Sequence, residues 1–397
     1  MRTEPGPPLD CPFDLADPAA YATGSAHGRW HRLRQTQPVR RDRTPSGVPY
    51  WSVFTHRDCA TILLDTNTFS SASGTILDSI GAPDPAGGRT VVLADPPQHA
   101  QLRALTMRHL GPAAVRAHAD AIRERVHRLV AALPLGEQDI MPALRRLPML
   151  ALGPLLDLPE RDWDAMVFHA IGCIAPADPE FTRGSTTTTL QHTHAKLFHL
   201  IHTALRSGNA FADDLRSITL SGGPTSSRDV LLNLYSTLIG GNTTTPHVAA
   251  HLLLRLADQP ELWDAEPAHL PALVEEGVRW ATPTQSLVRR VTTDIELGGR
   301  QLRAGDWVAA WVASANRDES VFPDPYRFTP GRPASAHLGF GRGAHYCAGA
   351  QAARLLLSSL IEELAHRRLR FSLVQEPQHL SSTAINGITT MPMRFFR

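Results

Sequence analysis

Residues 340–349 read Phe340-Gly341-Arg342-Gly343-Ala344-His345-Tyr346-Cys347-Ala348-Gly349. The glycines allow backbone angles and close approaches that side chains forbid, so a flat ligand can lie against the main chain. From Ala350 the run Ala-Gln-Ala-Ala-Arg-Leu-Leu-Leu consists of good helix formers and predicts a helix. Because the N-terminal end of a helix carries free N–H groups and a positive dipole, it favours negative sulfur. The stretch therefore predicts that Cys347 is an anionic ligand.

The complete pattern is more specific than its parts, since a lone cysteine is more often a small buried side chain than a ligand. Phe-Gly-x-Gly-x-His-x-Cys-x-Gly resembles the haem-binding signature of cytochromes P450, and every defining position is filled. The resemblance implies that Cys347 is the axial thiolate ligand of the iron of haem b. It also implies a haem site that includes Phe340, Gly341, His345 and Gly349. Further matches follow in the family's order from about residue 95 to residue 350.

The composition favours one large domain spanning 1–397. No Gly/Ser linker, charge block, low-complexity tract or repeat divides the 397 residues. A hydrophobic content of 42% suffices for a sizeable core. The formal net charge of +1 gives no reason to expect nucleic-acid binding.

The cysteines favour a reducing compartment. Cys11, Cys59, Cys173 and Cys347 lie far apart without a Cys-x-x-Cys pair, which argues against a disulfide framework or a zinc site. Residues 1–17 are rich in proline and acid and lack the apolar core of a signal peptide or membrane anchor. We therefore expect a soluble cytoplasmic enzyme of bacterial type that binds no membrane.

Hydrophobic patterns predict a mainly α fold with a minor β-sheet region. Residues 18–70 mix strand-like and helical runs, and 72–94, rich in Gly, Asp and Pro, predict a long loop. Helical patterns cover 112–132, 137–157, 188–206, 228–257 and 271–280, and strand patterns cover 287–313 and 368–397. The resemblance implies the same architecture, with haem between the long helix over 228–257 and the helix after Cys347.

Glu276 and Arg279 are spaced to share one face of a helix. Alone, such a pair is more often a solvated surface pair, worth roughly 0.3 to 0.5 kcal/mol. In context it resembles the Glu-x-x-Arg motif of cytochromes P450, with Arg332 as the third member. The resemblance implies a structural role, in which the three side chains hold the loop before Cys347.

A histidine and an arginine four residues apart follow a proline run, which favours the start of a helix. The run reads Asp95-Pro96-Pro97-Gln98-His99-Ala100-Gln101-Leu102-Arg103. A helix cap with a polar face is the structural alternative. In similar cytochromes P450 the positions of His99 and Arg103 bind haem propionates, and His345 has a like role by resemblance. Binding of carboxylates suits arginine particularly well.

Arg289 corresponds to the family's strand arginine, because it precedes Asp294-Ile295-Glu296-Leu297-Gly298-Gly299 by the expected interval. Arg290 is the rival assignment. Since side chains alternate between the two faces of a strand, one of these two arginines can point at the haem.

The helical pattern over 228–257 is interrupted by Leu238-Ile239-Gly240-Gly241-Asn242-Thr243-Thr244-Thr245-Pro246. Glycine costs about 1 and proline about 3 kcal/mol inside a helix, so packing alone would not select this run. Pro246 leaves the carbonyl of Asn242 without its helical partner, and threonine hydroxyls can bond carbonyls four residues back. By resemblance this is the oxygen-binding groove, with Gly241 beneath the distal face of the haem and Thr244 at the family's threonine.

The chain departs from its family at Thr243, where most cytochromes P450 carry Asp or Glu. That acid normally relays protons for cleavage of the O–O bond, whereas a hydroxyl relays a proton only through water. Either water and Asn242 substitute for the acid, or the reaction makes different demands.

The family's pattern places the substrate pocket above the haem. It is bounded by the loop 72–94, one face of the long helix, the segment 285–288 and a hairpin over 384–388. The candidate contacts are Ser236, Ile239, Gly240, Gln285, Leu287, Val288, Asn386 and Ile388, with Asn386 as a polar anchor. His192, His194 and His199 have no nearby acid or cysteine, so we expect them to decorate a helix near the mouth of the pocket rather than bind a metal.

The resemblance implies an enzyme that activates O2 at haem and oxidises a small natural product. The expected electron donors are a ferredoxin and its reductase, docked near Cys347 on a basic patch of Arg108, Arg342 and Arg354. The missing acid modestly favours C–C or C–N coupling of an aromatic substrate, such as an indole or cyclic dipeptide. Ordinary hydroxylation of a secondary metabolite is the alternative, and a non-catalytic haem sensor or carrier is a third hypothesis.

Overall fold

The computed structural model describes residues 14–23, 26–82, 84–220, 223–264, 269–332 and 336–397. Cys11, residues 1–13 of the N-terminal segment and residue 83 of the loop 72–94 lie outside the described residues. Within these ranges, no helix is both long and apolar enough to cross a membrane.

Helices account for most of the regular structure, as the sequence predicts. Their bounds are α1 His27–Thr36, α2 His56–Leu64, α3 Gln98–Leu110, α4 Pro112–Ala117, α5 Ala119–Ala131, α6 Met141–Arg146, α7 Met149–Leu155, α8 Trp163–Ile174, α9 Thr186–Leu205, α10 Ala210–Arg216, α11 Ser227–Asn242, α12 Thr245–Asp258, α13 Leu270–Ala281, α14 Val312–Ala315 and α15 Ala350–His366. The predicted mainly α class with a minor sheet region is confirmed.

The strands are short and lie mainly within residues 39–70 and 287–396, with three between these regions. Their bounds are β1 Val39–Arg43, β2 Pro49–Val53, β3 Phe69–Ser70, β4 Gly136–Asp139, β5 Thr219–Leu220, β6 Gly223–Pro224, β7 Leu287–Val291, β8 Ile295–Leu297, β9 Arg300–Leu302, β10 Trp307–Ala310, β11 Arg370–Leu373, β12 Gln378–His379, β13 Ile388–Thr390 and β14 Pro392–Phe396. A five-stranded sheet has the order β1-β2-β10-β7-β3, in which β10 runs parallel to β2 and the other neighbours are antiparallel.

The apolar interior divides between helices and sheet. The largest buried cluster is formed mainly by the helices from α3 to α15. Two smaller clusters pack on the five-stranded sheet, one with α2 and one with α1 and Trp311. Burial of such apolar surface is the main stabilising contribution to folding. The seam between the helical cluster and the sheet clusters is where the candidate site lies.

Two predicted elements differ from the structure. The pattern over 137–157 predicted one helix, but it forms β4, α6 and α7, because Gln138 and Glu137 pair with β14 at the far end of the sequence. The strand pattern over 287–313 ends early, since residues 312–315 form α14. Both segments are rich in apolar residues, and their periodicity alone does not separate a short strand from a buried helix.

Candidate active site

The loop before α15 has a shape that requires glycine. Gly341 and Gly343 have φ values of +69° and +70°, in the left-handed region that glycine adopts without strain. A Cβ at Gly343 would lie 2.9 Å from the carbonyl oxygen of Leu63. The backbone N–H of Cys347 donates to the carbonyl of Phe340 at 2.8 Å. This bond closes the loop and fixes the position of the sulfur just before the helix.

The surroundings of the Cys347 sulfur have opposing effects on the pKa of the thiol. Burial raises the pKa of the Cys347 thiol, although the backbone N–H groups of Gly349 and Ala350 and the guanidinium groups of Arg103 and Arg354 lower it. Burial outweighs these groups, so the helix terminus and the arginines favour the thiolate without by themselves bringing the pKa of the thiol below its usual value. A metal ion bound to the sulfur would supply further stabilisation of the thiolate, since a coordinating thiol is deprotonated.

Cys347 faces an open space inside the protein. Its side chain is solvent-accessible, yet enough protein surrounds it for burial to raise the thiol pKa. Gly240 in the last turn of α11 is also exposed, and a Cβ placed there would meet no atom of another part of the protein within 4 Å. The sulfur of Cys347 is therefore accessible, and Gly240 leaves the space beside the helix that a larger residue would fill.

Two histidines predicted to bind haem lie against each other. The ring centroids of His99 and His345 are 4.2 Å apart, and Nε2 of buried His99 has no hydrogen-bond partner in the described part of the chain. The Nε2 of His345 lies 3.3 Å from Oγ of Ser71. Burial, followed by the charges of Arg289, His99 and Arg103, lowers the pKa of His345 to about 3. Both imidazoles are therefore neutral unless an anion joins them.

Arg289 and Arg290 point in opposite directions, as alternation along a strand requires. Arg289 is 3% exposed, and burial lowers its pKa to about 10 against the opposing effect of Asp95. The guanidinium of Arg290 instead stacks on the ring of Trp307, with 4.7 Å between Cζ and the ring centroid. Arg289 is thus the member of the pair that faces His345.

Asp95 alone does not neutralise the cationic cluster, which consists of Arg103 and Arg289 beside His99 and His345. Asp95 accepts hydrogen bonds from Oγ of Ser70 at 2.5 Å and from the backbone N–H of Ser71 at 2.9 Å. Arg103 and Arg289 remain as two guanidinium groups beside one acid that already has two donors. Charged groups of this kind are stable in a protein interior when they bind an anion. The cluster therefore fits the two carboxylates of a haem, beside a sulfur that fits its iron.

The long helix opens where the sequence predicts it. It is interrupted between Asn242, the end of α11, and Thr245, the start of α12. The hydroxyl of Thr243 donates to the carbonyl of Ile239 at 2.8 Å, and the hydroxyl of Thr244 donates to the carbonyl of Gly240 at 2.9 Å. The threonines thus bond the carbonyls four residues back.

The structure corrects the positions of two groove residues. A Cβ on Gly241 would clash with the side chain of Leu152, so Gly241 packs against α7 and the open position belongs to Gly240. Asn242 is fully buried, and its Nδ2 lies 2.9 Å from the carbonyl of Leu238 and 3.5 Å from Sδ of Met149. Asn242 therefore points into the helical core and cannot replace the family's acid at the groove.

The loop 72–94 covers the N-terminal half of α11. Arg89 forms an ion pair with Asp229 at 2.6 Å, and its carbonyl accepts a hydrogen bond from Nδ2 of Asn233 at 2.8 Å. Asp229, Asn233 and Gly240 share one helical face, because they are spaced by four and seven residues. The loop therefore bounds the opening over Gly240.

Several expected substrate contacts are buried instead. Val288 and Ile388 are 0% exposed, and Gln285 is 1% exposed with its amide donating to the carbonyl of Ser382. Asn386 is half-buried, but its amide donates to the carbonyl of Ala281 at 2.7 Å. These four residues hold the hairpin against the core. The half-buried side chains that remain candidates for the pocket wall are Ser236, Ile239 and Leu287.

The Glu-x-x-Arg group is a buried network rather than a surface pair. Arg279 makes two hydrogen bonds of 2.7 Å to the carboxylate of Glu276. The same carboxylate accepts from Nε of Arg332 at 3.1 Å and from the backbone N–H of Thr329 at 2.8 Å. Nη1 of Arg279 also donates to the carbonyl of Asn316. The network ties α13 to the chain that leads to the cysteine loop.

The expected basic patch is largely neutralised. Arg354 pairs with Glu275 through bonds of 2.5 and 3.0 Å, and Arg108 lies 3.4 Å from Asp214. Arg342 is exposed, and no ion pair involves it within the described ranges. Of the three arginines, Arg342 therefore presents a free charge.

The histidines of α9 take part in ring contacts. His194 makes an edge contact with Tyr235 of α11, and Tyr235 stacks on Phe198 at 4.8 Å. His192 lies near His169, with 5.8 Å between the ring centroids. Among the described residues, no group of three or more His, Cys, Asp or Glu is placed to hold a metal ion.

Sequence reasoning missed Ser71 and Tyr235. Ser71 meets His345 across a separation of 274 residues, and Tyr235 is one of many apolar positions on α11. Neither position carries a local signal in the sequence.

Comparisons with known proteins point to one family. The family model described as Cytochrome P450 matches residues 268–393. Linalool 8-monooxygenase of Pseudomonas putida is 32% identical over 397 residues, covering 95% of this chain and 97% of that protein.

Two solved structures have the same fold over nearly their full lengths. P450 OxyD, involved in the biosynthesis of vancomycin-type antibiotics, has 31% identity and a TM-score of 0.82, covering 96% of this chain and 99% of its own. A Mycobacterium marinum cytochrome P450 in complex with pseudoionone has 27% identity and a TM-score of 0.88, covering 97% and 99%.

The fold, the cysteine loop, the site that fits haem and the full-length relatives all point to the same family. This chain belongs to the cytochrome P450 family, whose members are monooxygenases that use haem with a cysteine thiolate ligand to iron.

Proposed function

We propose that this enzyme oxidises a small natural product at a haem held by Cys347, with a preference for C–C or C–N coupling of an aromatic substrate. The observation that carries the proposal is that the sulfur of Cys347 lies near the cationic cluster. Arg103 interacts electrostatically with Cys347, His99 and His345. A ligand with both a metal ion and carboxylates satisfies all of these groups.

The chain's own residues have separable roles in this proposal. When bound, haem supplies the activation of O2 and the oxidising chemistry. Arg103, Arg289, His99 and His345 hold its carboxylates and so fix its orientation. Gly240 leaves room on the other side, and the hydroxyl of Thr244 lies beside that space with its proton donated to the carbonyl of Gly240.

Thr243 supports the preference for coupling. Its side chain is buried, and its hydroxyl proton is donated to the carbonyl of Ile239 at 2.8 Å. A group without an ionisable proton at this position is a poor relay to the groove. Joining two carbon atoms, or a carbon and a nitrogen atom, transfers no oxygen atom to the product. Coupling and oxygen insertion need the same protons for the activation of O2. Thr243 therefore supports coupling as a departure from the acid that most members of the family carry, and not through a lower demand for protons.

Hydroxylation of a secondary metabolite is the second candidate. It is supported by the names of relatives, which include linalool 8-monooxygenase and a methyl-branched lipid omega-hydroxylase of Mycobacterium bovis that is 32% identical over 331 residues. Product formation under ¹⁸O2 separates the two candidates. Label in the main product means oxygen insertion and ends the coupling proposal, whereas a coupled product without label supports it.

The cysteine ligand has its own test. Cys347→Ser should abolish the red-shifted band of the ferrous carbon monoxide complex, because that band requires a thiolate. Cys173→Ser, which removes a buried thiol elsewhere, should retain it. A normal band in Cys347→Ala would remove the haem-thiolate assignment from this residue.

Three properties of the whole chain belong to the same proposal. We infer one domain over residues 1–397, because a single relative aligns with 95% of the chain and 97% of its own length. We infer a cytoplasmic location from Cys59 and Cys173, which are free thiols in the described part of the chain. We infer ferredoxin and ferredoxin reductase as electron donors, which is tested by the salt dependence argued below.

A further inference from the structure

Arg354 contacts the two residues of the cysteine loop that fix the position of the sulfur. It lies in the second turn of α15, on the helix that follows Cys347. Its Nη2 donates to the hydroxyl oxygen of Tyr346, the residue before the cysteine, at 3.1 Å. Its Cζ lies 4.5 Å from the centroid of the Phe340 ring. Phe340 is the residue whose carbonyl accepts the backbone N–H of Cys347, so Arg354 supports the loop at both points.

Glu275 of α13 holds this guanidinium in one orientation. Nε of Arg354 donates to Oε1 of Glu275 at 2.5 Å, and Nη2 donates to Oε2 at 3.0 Å. Two parallel hydrogen bonds orient a planar guanidinium more firmly than a single contact does. Oε2 of Glu275 also lies 3.0 Å from Nε2 of His337, whose side chain is 5% exposed. Burial opposes the ionisation of Glu275, but the hydrogen bonds from His337 and Arg354 lower the pKa of its carboxyl to about 2. The acid is therefore ionised at neutral pH.

The positive member of this pair is the one that contacts the cysteine loop. Burial raises the pKa of the Cys347 thiol, and Arg103 and Arg354 are cations that oppose this effect. Arg103 belongs to the cationic cluster that fits the haem carboxylates, whereas Arg354 is paired with Glu275. Within the described ranges, no hydrogen bond or ion pair joins Glu275 to residues 340–347. The pair is thus a dipole whose positive end lies at the loop that carries the sulfur.

Stability alone is a weak reason for this arrangement. The side chains of Arg354 and Glu275 are 32% and 24% exposed, and an ion pair between solvent-accessible side chains contributes roughly 0 to 1 kcal/mol. The effect of a charge on a neighbouring group grows as the distance falls and as water is excluded. Charges and hydrogen bonds around a ligand sulfur also change the reduction potential of the metal that it binds.

We propose that Arg354 is a positioning residue of the cysteine loop, and that its charge, balanced by Glu275, limits the electron density that the Cys347 sulfur donates to the haem iron. The inference rests on the proposed function only in taking Cys347 as the ligand of the iron. The ferrous form carries one positive charge less than the ferric form, so a nearby cation raises the reduction potential and a nearby anion lowers it. Removing the charge of Arg354 and removing that of Glu275 should therefore change the potential in opposite directions.

The test measures the reduction potential of haem-loaded charge variants by spectroelectrochemical titration without substrate. Arg354→Gln should shift the reduction equilibrium about tenfold towards the ferric form, which is about 59 mV for a one-electron couple. Glu275→Gln should shift it about tenfold towards the ferrous form. Arg354→Lys, which keeps the charge, should retain most of the wild-type value. The iron–sulfur stretching frequency in resonance Raman spectra should rise in Arg354→Gln and fall in Glu275→Gln.

A second arginine–glutamate pair on the same helix provides matched controls. Nε of Arg367 lies 2.5 Å from Oε1 of Glu363, which is near the C-terminal end of α15. A helix rises 1.5 Å per residue, so Glu363 is roughly 20 Å along the helix axis from Ala350. Arg367→Gln and Glu363→Gln make the same charge changes at this distance and should leave the potential close to the wild-type value.

A purely structural role of Arg354 predicts other results. Arg354→Gln and Glu275→Gln would then move the potential in the same direction, or no further than Arg367→Gln and Glu363→Gln move it, and either result would overturn the proposal. If Arg354→Gln loses the red-shifted ferrous carbon monoxide band, Glu275→Gln decides alone, because it leaves the contacts of Arg354 with the loop in place. A potential that does not rise in Glu275→Gln would then end the proposal.

The two proposals fail in different ways. Unchanged potentials in variants with a normal ferrous carbon monoxide band would remove this role of Arg354 and leave the haem-thiolate function standing. Absence of that band from the wild type would remove the haem-thiolate function itself.

Discussion

The clearest prediction for single residues concerns the two guanidinium groups beside Asp95. Burial lowers the pKa of Arg289 to about 10, so this side chain is still charged at neutral pH and lacks a free acid. Arg103→Ala and Arg289→Ala should each lower the haem content of the purified protein, and the double variant should lower it further. Arg290→Ala is the matched control, because Arg290 stacks on Trp307. Full haem retention in the double variant would assign the carboxylates to other residues.

A second prediction concerns two buried histidines of α12. Burial lowers the pKa of His247 and of His251 to about 3, and Nδ1 of His247 accepts the backbone N–H of Ile388 at 3.1 Å. Both rings are therefore neutral in the folded protein, whereas in the unfolded chain they take up protons below about pH 6.5. Their contribution is complete above that pH and is lost progressively as the pH falls towards about 3.

Between about pH 6.5 and pH 5, each histidine should lower the free energy of unfolding by about 1.6 kcal/mol. Urea unfolding at the two pH values measures this loss. His247→Gln should reduce the loss between the two values, even though its stability at neutral pH is lower. The exposed His118 is the control, and His118→Gln should show the wild-type loss. An unchanged pH dependence in His247→Gln would contradict the buried neutral state.

The sequence predicts the position of a residue best when the neighbours that determine that position are close to it in the chain. The cysteine loop was predictable because its glycines and its helix lie within a few positions of Cys347. Val288 and Ile388 were not, since their burial comes from packing partners in distant parts of the chain. For Gln285 the partner is the carbonyl of Ser382, 97 residues away. One sequence does not show which distant segment will cover a side chain.

Among the elements, the break between α11 and α12 was predictable for the same reason. Pro246 removes a backbone donor, and the neighbouring threonines offer an alternative within four residues. Which of Gly240 and Gly241 lies on the open side of the helix was not predictable, because that depends on the packing of Gly241 against Leu152 of α7. The helix pattern alone could not tell which glycine opens to the groove.

The loop 72–94 should control the access of ligands to the site. Arg89 fastens it to Asp229, an acid that also caps α11 through Ser226. Arg89→Ala should loosen the loop while leaving the cap intact, so both association and dissociation of a bound probe should become faster. Stopped-flow measurement of the haem optical shift gives both rates. Arg216→Ala, which removes the exposed pair with Asp213, is the control. Unchanged rates in Arg89→Ala would mean that the loop does not limit access.

For the whole molecule, the network of Glu276, Arg279 and Arg332 explains why distant segments meet correctly. The buried carboxylate gathers four donors from α13 and from residues 329–332. Removing one partner of a buried ion pair costs roughly 3 to 5 kcal/mol. The sequence motif indicated this network only through the family resemblance, because spacing alone is equally compatible with a surface pair.

The face of the molecule next to the cysteine loop is the expected docking site of the electron donor. Arg342 is exposed there, next to Gly343, and Gly343 lies close to Leu64, an apolar residue that is 52% exposed. A small acidic ferredoxin suits such a surface, and attraction between opposite charges raises the association rate chiefly at low salt.

Reduction of the haem by ferredoxin should therefore slow as salt is added, and Arg342→Glu should slow it further at low salt. Arg108→Glu is the matched control, because Asp214 already offsets the charge of Arg108, and its effect should be smaller. Arg354 is unsuitable for this test, since it binds Glu275 and also contacts Tyr346 and Phe340 of the cysteine loop, which its loss would disturb. The first-electron rate is measured by rapid mixing under carbon monoxide. A rate independent of salt, with normal reduction of Arg342→Glu, would place the donor on another face.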